Sequence, residues 1–323
     1  MVADSLAYDF TEEPVPSPSR INVSVGHIVR FAPSDATQAV PLSAQTWGYK
    51  PSSKLSPRQQ LEGWAAAVQR GGGKVWSWLY YNNFADFLMP QPNWFNIGDD
   101  VAFLASHNVS GVFAEGLNGN PSADMNELRA WVLAAASFDP SRNGTALIGE
   151  FLRGYYSEAA APFVFRHMRV WRASVLRHTN ATTILGKWET PAAAWVTPAA
   201  VLESSAALLA AMSAAAATPT SSREYRVRLD RLWISVRYLL LWRWKESCEY
   251  ATRAGLHWPV ASVLGDGTPR RVYLSLNAFA QRCACLLAVI AASVLCTSPS
   301  SDDLQPPRTW SAACQRQTLS TSA

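Results

Sequence analysis

The sequence predicts an α/β fold with parallel strands in its first half, and three observations carry that expectation. Apolar runs rich in β-branched and aromatic residues recur between residues 5 and 114, each short enough to be a strand. The gaps between them hold a helical pattern or a long loop, as parallel pairs require. Hydrophobic residues make up 49% of the 323, enough to bury a sizeable core.

Taken in order, residues 5–8 are apolar and run straight into DFTEEPVPSPSR, a proline-rich loop that cannot continue a helix or a central strand. The chain is therefore expected to enter on an element already in progress. Residues 21–31, INVSVGHIVRF, nearly alternate and read as a strand, followed by a loop through Pro41. A helix is expected from Ser56, with Ser56 as N-cap, Pro57 at the first helical position and Leu61, Trp64, Ala65 and Val68 on its apolar face. Gly71, Gly72 and Gly73 stop it. A strand follows at 74–79, a helix at 96–107 with Ile97, Val101, Phe103 and Leu104 inward, and a strand at 109–114.

Beyond residue 124 the pattern turns helical. Asp124 begins a helix as its N-cap, with Glu127 at the capping-box position. Residues 145–156 and 159–178 give two more, packed through Phe151, Tyr155, Phe163, Phe165, Met168 and Trp171. The alanine-rich stretch 191–220 reads as a helix pair or a linker, because alanine favours helix but buries little surface. Residues 223–251 place Leu229, Trp233, Val236, Leu240 and Trp244 on one stripe. The apolar run 286–295 is too short for a comfortable membrane span. The serine- and proline-rich end is expected to be disordered.

Charge excludes some partners. Only 16% of residues are charged and the net charge is +4, so there is neither a nucleic-acid stripe nor an acidic tail. The five cysteines all lie at or beyond Cys248 and lack zinc-ligand spacing with histidine, and no metal or cofactor is expected. No signal peptide is read at Met1, whereas four sequons, at Asn22, Asn108, Asn143 and Asn180, lean toward a secretory ancestor.

The chemistry concentrates between Val75 and Gly116, where aromatic residues sit beside amides and a carboxylate. Sugar rings stack their C–H faces on aromatic rings, and their hydroxyls need directional donors and acceptors. In parallel sheets the loops after the strands' carboxyl ends carry function. That rule places Glu115, directly after the strand at 109–114, as the leading acid/base candidate, and Asp35, after the strand at 21–31, as the next. Tyr80 and Trp94 are the expected sugar platforms, with Asn82 and Asn83 as hydrogen-bonding partners. The competing readings are a cap or salt bridge to a neighbouring loop for Glu115, an ordinary turn for Asp35 and turn formation for the asparagines. Asp139, His107 and His167 are assigned no chemistry.

Several segments in register, LAYDFTEEP, NVSVGHIVRFAPSDATQAVPL, VWSWLYYNNFADFLMPQPN, VSGVFAEG, LRAWVLAAASFDP and FLRGYYSEAA, resemble the family called domain of unknown function 4838. The resemblance runs from about Leu6 to Trp171, with a weaker echo at 225–238. It implies kinship with glycoside hydrolases of the α-glucuronidase and β-hexosaminidase kind, and a (β/α)8 TIM-like barrel of which this chain holds the C-terminal portion. Residues 1–140 would then be the partial barrel, 141–255 a helical region and 256–323 a tail. Relatives tend to carry an aspartate where this sequence has Ser77, which removes one candidate carboxylate. The expected function is a glycoside-hydrolase-like protein acting on polysaccharide. The alternatives are a non-catalytic carbohydrate-binding or scaffold domain and a truncated product without activity.

Overall fold

The computed structural model describes residues 3–14, 23–34, 36–46, 54–116, 124–180, 183–217 and 222–256. Asp35, the apolar run 286–295 and the tail from 257 onward lie outside the described residues. Four strands, β1 (Ala3–Tyr8), β2 (His27–Ala32), β3 (Lys74–Tyr80) and β4 (Val109–Glu115), form one sheet in the order β1-β2-β3-β4. All three pairings are parallel, so the fold is mixed α/β, as expected. The strand expected at 21–31 begins only at His27, because Gly26 takes a left-handed φ of 86° and turns the chain just before it.

Helix α1 (Pro57–Gly71) crosses between β2 and β3, and α2 (Ile97–Ser106) between β3 and β4. The start of α1 is dictated locally. Ser56 Oγ accepts from Gln59 N–H at 3.3 Å, and Gln59 Oε1 accepts from Ser56 N–H at 2.9 Å, a complete capping box. Gly72, at φ 76°, closes the other end. Alternate residues Val75, Ser77 and Leu79 of β3 join Ala7, Val29 and Phe31 in the core with Leu61, Val68, Val101 and Leu104. The opposite sheet face carries Leu6, Tyr8, Arg30, Trp76, Trp78 and Phe113. It stays largely open, with Leu6 47%, Tyr8 40% and Phe113 45% exposed. Arg30 lies over the Trp76 and Trp78 rings at 5.6 and 5.7 Å and is paired with Asp4.

The helices α3 (Asn126–Phe138), α4 (Gly144–Tyr156), α5 (Ala161–His178), α6 (Pro198–Ala216), α7 (Ser222–Trp242) and α8 (Trp244–Arg253) complete the compact unit Met1–Ala254. The N-cap of α3 is Met125 at φ 48°, not Asp124; Asp124 is drawn away into a buried ion pair. The alanine-rich stretch forms one helix rather than a pair. Thr197 caps it, and small buried residues such as Ala207 and Ala211 serve its contacts. By length and composition α6 could cross a membrane, and 44% of its apolar window is buried inside the protein. The stripe expected through 251 breaks at Arg243. Leu229, Trp233, Val236 and Leu240 are buried, but Trp244 opens α8 and is only half-buried.

Candidate functional site

Parallel strands send all their carboxyl ends to one edge of the sheet. Tyr80 ends β3 directly beside Glu115, its register partner at the end of β4. Two residues before Tyr80 and on the same face, Trp78 donates its indole N–H to Glu115 Oε2 at 3.0 Å. The Glu115 carbonyl accepts from Tyr81 N–H at 3.0 Å, so backbone and side chain are both fixed while the residue stays half-buried. The Tyr80 hydroxyl is held well above its ordinary range, first by burial and then by the charges of Tyr8, Glu115 and Glu12. Glu12 reaches this edge from the end of β1 and is buried. Its Oε1 accepts from Ser34 N–H at 2.5 Å, and its carbonyl takes the Trp64 indole N–H at 2.8 Å.

A segment from the helical half lies across the same edge. Lys187 donates to the Ser34 carbonyl at 2.7 Å and places its ammonium 4.2 Å from the Tyr80 ring centroid. Trp188 is 63% exposed, with its ring 5.5 Å from that of Phe84. The segment is pinned at several points: Leu185 O accepts from Gln38 N–H and Lys187 O from Phe84 N–H, both at 2.7 Å, and Gly186 O accepts from Gln91 Nε2 at 2.8 Å.

The residues expected to bind sugar divide. Trp94 has 0% exposure and offers no face to a ligand. Its indole donates to Asp124 Oδ2 at 3.1 Å, and Arg129 lies 5.7 Å over its ring. Asn83 is buried with both amide ends engaged, Nδ2 to the Glu189 carbonyl at 2.9 Å and Oδ1 from Ala85 N–H at 3.2 Å. It is a turn and anchor residue rather than a ligand contact. Asn82 is buried as well, but its Nδ2 has no hydrogen-bond partner, and its Oδ1 lies toward Gly116. Tyr80 remains at the edge, half-buried, with Lys187 against its ring. Ser77 is fully buried on the helix-covered side of β3.

Around Trp94 the motif QPNW builds a buried polar network. Gln91 and Asn93 both donate to Gln38 Oε1, at 2.8 and 2.6 Å. Arg129 donates to Asn93 Oδ1, the Gln91 carbonyl and Asp124 Oδ2, at 3.2, 2.7 and 3.1 Å, and also to the Asp124 carbonyl. Burial pushes the Asp124 carboxyl up from its ordinary range, and the Arg129 charge and the hydrogen bonds oppose it. Beside this network Tyr80, Tyr81, Gln38, Asn93, Asn96 and Asp100 line a cavity of about 30 Å³, large enough for water but not for a sugar. Burial pushes the Asp100 carboxyl up to about 7, against hydrogen bonds from Leu42 N–H and the Tyr81 hydroxyl at 2.7 and 3.3 Å.

Sequence reasoning passed over Glu12, Lys187 and Trp188. Glu12 was within reach, since the carboxyl-end rule applied to β1 points to TEEP as it pointed to Glu115. Nothing local marks Lys187 or Trp188, whose partners Ser34 and Phe84 are more than 100 residues away in sequence. Among the described residues no three histidine, cysteine, aspartate or glutamate side chains are grouped to hold a metal.

Comparison with known proteins adds one match. A family model described as Domain of unknown function (DUF4838) covers residues 1–169, more than half of the chain. No curated protein and no solved structure matches.

Proposed function

The chain belongs to the family described as Domain of unknown function (DUF4838), and from that premise we propose that it is a glycoside-hydrolase-like protein acting on polysaccharide at the carboxyl edge of its sheet. The observation that carries the reading is the Trp78–Glu115–Tyr80 arrangement: the carboxyl group of a half-buried glutamate, oriented by an indole N–H, beside a tyrosine at a parallel-strand end. Glycosidic cleavage needs one carboxyl group to protonate the leaving oxygen and a second to act as base or nucleophile. Glu115 takes the first role. Asp35, following β2, is the candidate for the second, and Glu12 lies at the same edge.

A barrel of the (β/α)8 kind is the architecture we infer for the sheet. Its support is the asymmetry of the two faces, one covered by helices and the other presenting Leu6, Tyr8, Trp76, Trp78 and Phe113. Parallel sheets are ordinarily covered on both faces, and in a barrel the inner face is filled by side chains from further strands.

A specific observation favours the second reading, a carbohydrate-binding domain without catalysis. Among the described residues the carboxyl group that joins Glu115 at this edge is Glu12, which is buried and engaged by the Ser34 amide and so poorly placed to serve as the second carboxyl group in place of Asp35. The readings part on one substitution. On the enzyme reading, the full chain releases reducing sugar from a uronic-acid or hexosamine polysaccharide, and Glu115→Gln lowers that release at least 100-fold with an unchanged melting curve, on the scale of general acid catalysis. Binding without release, unaffected by Glu115→Gln, refutes the enzyme reading in favour of the binding one.

A further inference from the structure

We propose that Trp188 is the aromatic platform of this site and stacks on the C–H face of a pyranose ring, so that residues beyond the family-matched stretch complete the ligand-binding edge. The inference rests on the carbohydrate reading above and replaces Trp94, which is buried, in the role of platform.

Three features set Trp188 apart from an incidental surface aromatic. Its exposure of 63% is large for a tryptophan, a residue that is highly buried on average. Its ring is backed by Phe84 at 5.5 Å, and Phe84 in turn meets Tyr80 and Phe87 edge-on at 6.1 and 6.2 Å. The indole therefore packs against Phe84 at a tilt of 43° while most of its surface is exposed. The backbone on either side is fixed: Lys187 O accepts from Phe84 N–H at 2.7 Å, and Glu189 O from Asn83 Nδ2 at 2.9 Å. Phe138, the last residue of α3, is 93% exposed as well, but it is not part of the ring cluster that joins Trp188 to Tyr80. A rigid aromatic surface held in place before binding is what a low-entropy stacking site requires.

The neighbouring groups point to a sugar as the occupant. Stacking satisfies the apolar face of a pyranose, and its hydroxyls need polar groups alongside. Lys187 is the preceding residue in the chain, and Tyr80 and Glu115 continue the edge beyond Phe84. Trp188 stands two ring contacts from Tyr80, so it holds a sugar unit beside the one at Glu115 and acts as a binding residue, not a catalytic one.

Calorimetric titration of the full chain with cellohexaose, xylohexaose, chitohexaose, mannohexaose and a hexagalacturonate tests this. For whichever probe binds, Trp188→Ala is expected to weaken affinity about 5- to 100-fold and Trp188→Phe less than about threefold, the scale of stacking on an aromatic ring. The probe should also protect Trp188 from acrylamide quenching, read as the difference between the unaltered chain and Trp188→Phe. That readout decides the matter if Trp188→Ala fails to fold. Affinity within about twofold of the unaltered chain in Trp188→Ala, or no protection of Trp188, overturns the platform and leaves the carbohydrate reading standing. Absence of binding by every probe overturns both.

Discussion

Replacing Arg129 with methionine isolates what the buried network contributes. The guanidinium is almost fully buried, with 6% of its side chain exposed, and its partner Asp124 has 2% exposed. The substitution keeps most of the side-chain volume but removes the donors to Asp124, Asn93 and the Gln91 carbonyl. The Asp124 carboxylate then stays buried with only the Trp94 indole and the Gln91 amide to satisfy it. Breaking one partner out of a buried pair costs about 3–5 kcal/mol, a fifth or more of the ~5–15 kcal/mol that holds a typical domain together. With a urea slope of roughly 2–3 kcal/mol per molar, the midpoint should fall by about 1–2.5 M. Equilibrium urea unfolding, followed by tryptophan fluorescence and far-UV circular dichroism, measures it. The double variant Arg129→Met, Asp124→Asn should recover part of the loss, because it no longer buries an unpaired charge. A loss below about 1 kcal/mol for the single variant, or a double variant no more stable than the single, would refute the account of this pair as the structural lock of the loop.

Two further outcomes follow from buried groups. Asp100, pushed up to about 7 from 3.8, keeps its proton in the folded state between about pH 4 and 7, where the unfolded chain has lost it. Its contribution therefore makes stability fall as pH rises through that window, by up to about 4 kcal/mol in total. Asp86, pushed up to about 6 by burial, acts with the same sign. Asp100→Asn should flatten the Asp100 share of the slope in urea titrations at pH 5, 6 and 7.5, and an unchanged slope counts against it. Gly98→Ala would place a methyl carbon 2.5 Å from the Gly144 backbone, where α2 and α4 approach. Neither side can move by rotating a side chain, so a loss of about 1–3 kcal/mol is expected. Calorimetry should show the melting temperature falling by about 3–10 °C, and a rise would contradict the close approach.

The elements that were legible in the sequence are those whose cause is local. Ser56, Pro57 and Gln59 specify the start of α1 within four residues, and Gly72 specifies its end. The apolar runs of β3 and β4 needed only their own alternation. The loop between β3 and α2 is ambiguous in the sequence because rings and amides that could line a sugar site are equally the components of a buried polar network. Which of the two Trp94 and Asn83 serve is decided by Asp124, Arg129, Gln38 and Glu189, none of which lies within the loop. Asp124 illustrates the same ambiguity at shorter range. An aspartate just before a helical run has the chemistry of an N-cap, but Arg129 one turn later pulls it inward and the cap position passes to Met125.

The position of residues 183–190 separates two kinds of constraint on this edge of the sheet. Glu12, Tyr80, Asn82 and Glu115 fall inside the stretch that the family model covers, and each is set by a strand end. Lys187 and Trp188 fall outside it, yet backbone hydrogen bonds to Gln38 and Phe84 fix their position no less firmly. The groups at the strand ends are therefore tied to the sheet and can change only with it. The aromatic surface beside them rides on a segment whose side chains at 187 and 188 can change without breaking the backbone bonds that hold it. On the carbohydrate reading, the strand ends would carry the chemistry and this segment would select which sugar is presented to it.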